Sequence, residues 1–259
     1  MTATQSRGFR KGLIQVAQGL LVLIVATTFS LLALWQWDRA ESHQELKAEL
    51  SRIAALPPTS LTEIHQPQIA LDGEDANRMV RVTGRYLESF LAKGQQIKEQ
   101  EKGLYEVALF EVSGSSPRAG ILVAREIVTS ELVEGSIERA PIDSKVELLA
   151  RLLPSQREDR DPQARIKGDE GSLSRIDSAL LVERLKDPTL TLYDGYLLLH
   201  EEEIDGKGSE LALIPDSIAE PTIPGYYWQH LSYVVIWSLM ALLTLYLPFY
   251  QRKRNRIVP

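Results

Sequence analysis

His230 opens a stretch in which no charged residue follows until Arg252. On helical spacing His230, Tyr233, Val234, Trp237 and Ala241 fall on one face, which sets an imidazole beside two aromatic rings. Trp35, Gln36, Trp37 and Arg39 end the other long apolar run of the chain. If the two runs are helices packed side by side, imidazole, indoles and guanidinium lie at one level. Such a set suits a flat, apolar macrocycle with acidic tails. A neutral histidine nitrogen can take an axial iron position, aromatic rings pack on the macrocycle, and arginine pairs with the carboxylates. The same residues also suit a plain interfacial belt, with His230 reaching for the headgroups. Residue types alone leave both readings open.

Elsewhere the chemistry is sparse. The sequence contains no Gly-rich phosphate loop, no G-x-S-x-G elbow and no H-E-x-x-H motif. Asp159 and Asp161 lie in a charged segment with nothing apolar nearby to raise a carboxyl pKa. His65 sits in a polar, proline-containing stretch and reads as an exposed loop histidine. His200 precedes Glu201, Glu202 and Glu203, but it has no second histidine near and the glutamates alternate in direction, so no metal centre is expected there. Cysteine is absent, which removes disulfides, C-x-x-C-H haem attachment, thiolate nucleophiles and Cys-based copper carriers. The chain is not expected to be an enzyme.

The elements that must position His230 are two membrane spans. Leu231 to Tyr250 is an uncharged run of 20 residues, which at ~1.5 Å per helical residue covers a hydrocarbon core of about 30 Å. Tyr226, Tyr227 and Trp228 precede it; Arg252, Lys253, Arg254 and Arg256 follow. Leu13 to Trp37 is the second span, preceded by Arg7, Arg10 and Lys11. A cleaved signal peptide is the competing reading, disfavoured by the length of the run, the lack of an A-x-A site and the aromatic pair Trp35 and Trp37. Basic residues at both outer ends place both tails in the cytoplasm and the residues between the spans outside. The expected plan is a tail (1–12), a first span (13–37), an extracytoplasmic domain (38–229), a second span (230–250) and a tail (251–259).

Seven of the 29 basic residues lie in these tails, whereas all 35 acidic residues lie between Asp38 and Glu220. So acidic a middle argues against nucleic acid as a partner. Within it, Asp38 to Ala55 keeps helical character, with Leu46, Leu50 and Ile53 on one stripe, until Pro57 and Pro58 end it. Residues 57–77 read as an irregular connection. Strand patterns follow at Met79–Leu91, Gln95–Gln100, Leu104–Val112, Gly120–Thr129 and Lys145–Pro154, separated by turn-rich segments. They predict an antiparallel sheet. Ser155–Gly171 is highly charged, and Ser174–Lys186 predicts an amphipathic helix through Ile176, Leu180, Leu181 and Leu185. Thr189–Glu203 returns to strand, with a bulge or a hairpin turn at Asp194-Gly195. The fold class is α+β: two transmembrane helices flanking an antiparallel, barrel-like sheet with one or two packed helices.

Five segments carry a family resemblance. They are Leu34-Trp35-Gln36-Trp37-Asp38-Arg39, Arg81-Val82-Thr83-Gly84-Arg85-Tyr86, Ile121-Leu122-Val123-Ala124-Arg125, Leu192-Tyr193-Asp194-Gly195-Tyr196, and His230-Leu231-Ser232-Tyr233 with Trp237. In this order between two spans they resemble the SURF1 family of cytochrome c oxidase assembly factors, and the fourth is similar to actinobacterial members. Gln229 stands where the family motif has Asn, and Ala124-Arg125-Glu126 where it has Asn-Arg-Gly. The resemblance implies a role in maturing an aa3-type oxidase, with haem a handled for the catalytic subunit and His230 as its iron ligand. Trp35, Tyr233 and Trp237 would contact the ring, and Arg39 a propionate. The partners implied are oxidase subunits and membrane lipid. The alternative expectation is an accessory subunit of the oxidase, or of a supercomplex with bc1 or other components, that binds no cofactor.

Overall fold

A computed structural model describes residues 3–98, 101–128, 140–142, 144–161, 171–182, 184–185, 187–216, 218–219 and 226–257. The chain divides into two compact units, one formed by residues 1–48 and 221–259 and the other by residues 49–220.

The first unit holds the two apolar helices. Helix α1, Ala3–Ala54, runs without a break through Trp37 and on through the predicted stalk, since Glu, Lys, Leu and Ala continue it until Pro57. The terminal helix, Tyr226–Ile257, contains the second run. Both are long and apolar enough to cross a membrane, over Leu13–Ala54 and Tyr226–Gln251. Over the spans their outward faces are mostly large apolar and aromatic side chains, a surface suited to hydrocarbon rather than water.

The second unit is built on one sheet. After β1, Thr59–Ser60, and a single helical turn α2, Leu61–Ile64, come β2 (Met79–Lys98), β3 (Glu101–Val112), β4 (Ala119–Val128), β5 (Val146–Leu153), β6 (Ser172–Leu173), β7 (Thr191–Ile204) and β8 (Lys207–Gly208). The terminal helix is α3. Neighbouring strands run β2-β3-β4-β7-β5, and β5 pairs back onto β2, so the five close into a ring. Strand β2 makes this possible by serving two neighbours. Met79–Gly84 pairs with β5, and Gly84–Lys98 pairs with β3. At the changeover the chains come so close that a Cβ on Gly84 would lie 1.9 Å from the carbonyl oxygen of Glu111.

The sheet is mixed rather than antiparallel, because β4 and β7 run parallel, as do the short β1 and β6 against β2. Alternating apolar residues fix which face of a strand is buried, not its direction. Both faces of β4 are buried. Ile121 and Val123 join one apolar cluster with Tyr86, Phe110, Leu152 and Leu197, while Leu122 and Ala124 join a second with Phe90, Val107 and Leu198.

Two other expectations are corrected. The amphipathic helix at Ser174–Lys186 does not form: among the described residues there is only a 3₁₀ turn, Ser178–Leu180, capped by Asp177, which accepts from Ala179 N at 2.9 Å. Its apolar residues are nonetheless buried, Ile176 and Leu181 packing on the second cluster. Side chains hold the chain out of a helix, Ser174 and Arg175 donating to Asp159 and Arg175 also to Asp177. His65 is not an exposed loop residue. It is 5% exposed, its Nε2 lies 2.9 Å from the Asp194 carbonyl oxygen, and its ring packs on Tyr193. Of the two forms expected at Asp194-Gly195, bulge or hairpin turn, the bulge is present, within the single strand β7, where Gly195 has φ +82° and Asp194 accepts from Leu71 N, Ser155 Oγ and Gly195 N. The predicted strand at Gln95–Gln100 is the far end of β2, and most of the Ser155–Gly171 excursion lies outside the described residues.

Candidate functional site: an imidazole layer between two helices

The inward face of α1 repeats every seven residues. Ala26, Ala33 and Ala40 form one buried row, and Phe29, Gln36 and His43 the row beside it. On α3 the inward positions are His230, Val234, Trp237, Ala241 and Thr244. Steps of three and four on both helices are the pattern of side-by-side packing at a shallow angle, and the alanine row keeps α1 narrow where α3 approaches. The larger row meets α3 in antiparallel order. Phe29 stacks on Trp237 with centroids 5.6 Å apart, Gln36 meets His230, and His43 meets Tyr226 and His230.

The contact that defines the site is between His230 Nδ1 and Gln36 Oε1, at 2.5 Å. An amide oxygen can only accept, so Nδ1 carries the proton and Nε2 holds the free lone pair. His230 is 8% exposed, and Nε2 is buried with no hydrogen-bond partner among the described residues. Trp237 Nε1 and His43 Nε2 are buried and unpartnered in the same way. Tyr226 lies edge-on to both imidazoles, 4.5 Å from His43 and 4.3 Å from His230 between centroids. A neutral imidazole with a bare, buried lone pair, oriented from behind by an amide and walled by aromatic rings, has the chemistry of a nitrogen donor that could take a metal.

The structure gathers His230 and Trp237 on this face, whereas the Arg39 side chain is exposed. It does not bring in Tyr233, 39% exposed, or Trp35, 57% exposed, which point away from the helix pair. Gln229, next to the histidine, is also exposed, and the role of orienting partner falls to Gln36 of the other helix. His43, Tyr226 and Phe29 do not stand out in the sequence as site residues. A signal for two of them is nevertheless there, because Phe29 and His43 lie seven residues either side of Gln36.

Two other polar groups are structural. His200 Nε2 lies 3.1 Å from Asp216 Oδ1, and Asp216 also receives Arg151 at 2.7 Å. Arg125, 2% exposed, donates to Glu106 at 2.8 Å and to Glu202 at 2.9 and 3.0 Å. Glu202 also accepts from Tyr86 Oη at 2.5 Å. Burial alone would raise the Glu202 carboxyl, but hydrogen bonds from Arg125 and Tyr86 and the charge of Arg125 outweigh it and hold it below the ordinary value. Among the described residues no cluster of three or more His, Asp or Glu side chains is arranged to hold a metal ion.

A pair of span-length helices joined through a closed mixed sheet, with an imidazole layer between the helices, defines a helix-anchored α+β protein. The family-level sequence profile of the SURF1 family matches residues 23–242, most of the chain, including the whole sheet and the facing stretches of both helices. The protein belongs to the SURF1 family, whose members are associated with cytochrome c oxidase assembly and are assembly factors rather than known enzymes. Comparison with individually curated proteins returns no match.

Proposed function

We propose that this protein assists the assembly of an aa3-type cytochrome c oxidase by holding haem a for the catalytic subunit. The observation that carries the reading is the buried, unpartnered Nε2 of His230, whose lone pair is fixed by Gln36. Haem a supplies, when bound, an iron with axial positions to fill and two propionates. His230 would ligate the iron, Trp237 and Phe29 would face the apolar ring, and Arg39 would pair with a propionate. Trp35 and Tyr233, on outward faces, are contacts for the ring only after it reaches past the helix pair, or for an oxidase subunit. Both tails are cytoplasmic and the sheet unit extracytoplasmic, because the basic residues flank the outer ends of both spans.

The decisive experiment is purification of the full chain in detergent from a membrane that makes haem a, followed by its visible spectrum. A Soret band is expected in the wild type and its loss in His230→Ala. No band in the wild type, or an unchanged band in the variant, overturns the reading. A second reading is favoured by a different observation: Trp35, Trp37 and Trp228 all face outward, a surface that suits docking on partner helices. On that reading the protein is an accessory subunit of the oxidase or of a bc1-containing supercomplex, and stoichiometric co-purification with mature oxidase without haem would identify it.

A further inference from the structure

His43 lies six residues beyond the aromatic end of the first span, on a helix otherwise lined there with charged and polar side chains, yet its Nε2 is buried and has no partner among the described residues. Its ring is nearly parallel to that of His230, 20° between planes, with centroids 5.8 Å apart. The second orphaned nitrogen, His230 Nε2, belongs to the other ring of this pair. Two buried, unpartnered nitrogens on neighbouring imidazoles are poorly explained by packing, because a polar atom removed from water needs a partner. A metal taking one nitrogen from each of two rings on opposite sides, at about 2 Å per bond, sets their centroids roughly 6 Å apart. The two centroids, 5.8 Å apart, have about that spacing. Tyr226, edge-on to both, ties the two rings into one unit.

We infer that His43 is the second nitrogen ligand of the iron bound by His230, so that α1 and α3 each supply one imidazole and the pair clamps a single metal centre. The inference rests on the haem reading above. It unites the two helices in one site, since His230 is oriented by α1 through Gln36 and His43 is carried on that same helix one heptad further on. Bis-imidazole ligation predicts a six-coordinate, low-spin iron.

The test is the absorption and electron paramagnetic resonance spectrum of the haem-loaded full chain. The wild type is expected to be low-spin. His43→Ala should keep its Soret band but lose the low-spin signal in favour of a high-spin one, and added imidazole should restore it. A His43→Ala protein that stays low-spin overturns the inference while leaving the haem reading intact. So does loss of haem from His43→Ala that neither imidazole nor the ligating variant His43→Met recovers, since a merely structural histidine would behave that way. A wild type without a Soret band sinks both readings together.

Discussion

Gln36 sets the state of His230 with one contact. An imidazole free to choose its tautomer presents a lone pair at either nitrogen, whereas the 2.5 Å contact to Oε1 keeps the proton on Nδ1 and the lone pair on Nε2. Partners of this kind fix ring orientation and raise ligand basicity, and their loss typically costs roughly 10–100-fold in metal affinity. Gln36→Leu, which nearly keeps the bulk and removes the acceptor, is therefore expected to weaken haem binding by roughly that factor with His230 in place. Titration of the purified apoprotein with haem, followed at the Soret band, measures it. An affinity equal to wild type would mean that Gln36 only fills space between the helices.

Among the elements, Arg125 joins more of the sheet than any contact read from the sequence. It sits on β4, its partners Glu106 and Glu202 are on β3 and β7, and Tyr86 of β2 closes the group through Glu202. Breaking a buried pair by removing one partner typically costs about 3–5 kcal/mol, because the charges left behind have lost both water and partner. Arg125→Met should destabilise the full chain by about that much, read from thermal unfolding in detergent. The pH dependence has a definite sign. A folded carboxyl held below its ordinary value of about 4.3 contributes stability that is fully present above that pH and fades as pH falls through the lower folded value. Arg125 is the first of the groups that lower Glu202, so the variant should lose less stability on acidification than the wild type. Equal losses would place the acid sensitivity elsewhere. These contacts also mark where sequence reading stops. The helices, the strands and the bulge position at Asp194-Gly195 are legible, because apolar period and turn residues are local properties. The parallel pairing of β4 with β7 is not, since nothing local encodes direction. Arg125 stands in the sequence only as one residue of a strand segment, because burial of a charge depends on carboxylates distant along the chain. The 174–186 segment has the right apolar stripe and the wrong backbone, because Asp159 and Asp177 compete for its donors. For the site, His230 and Trp237 are readable from residue type and spacing. His43 is hidden by its setting among the charged residues of the stalk, although its seven-residue spacing from Gln36 is in view.

For the whole molecule the open matter is which side of the membrane holds the sheet, since an imidazole layer can serve haem insertion only at the level where the oxidase subunit presents its site. The charge pattern argues one way: basic residues before the first span and after the second, and every acidic residue between them. The chain has no cysteine, so a single introduced one reports its own position without background. Ser113, exposed in the turn after β3, marks the sheet unit, while Thr4 and Asn255 mark the tails. With a membrane-impermeant maleimide, Ser113→Cys should label in intact cells, and Thr4→Cys and Asn255→Cys only after permeabilisation. Labelling of either tail in intact cells, or protection of Ser113→Cys, would reverse the assignment and move the His43 and His230 layer to the cytoplasmic headgroups. Recovery of the Thr4→Cys label on the full-length chain also separates a retained first span from a cleaved leader, and only a retained span leaves α1 in place to orient His230.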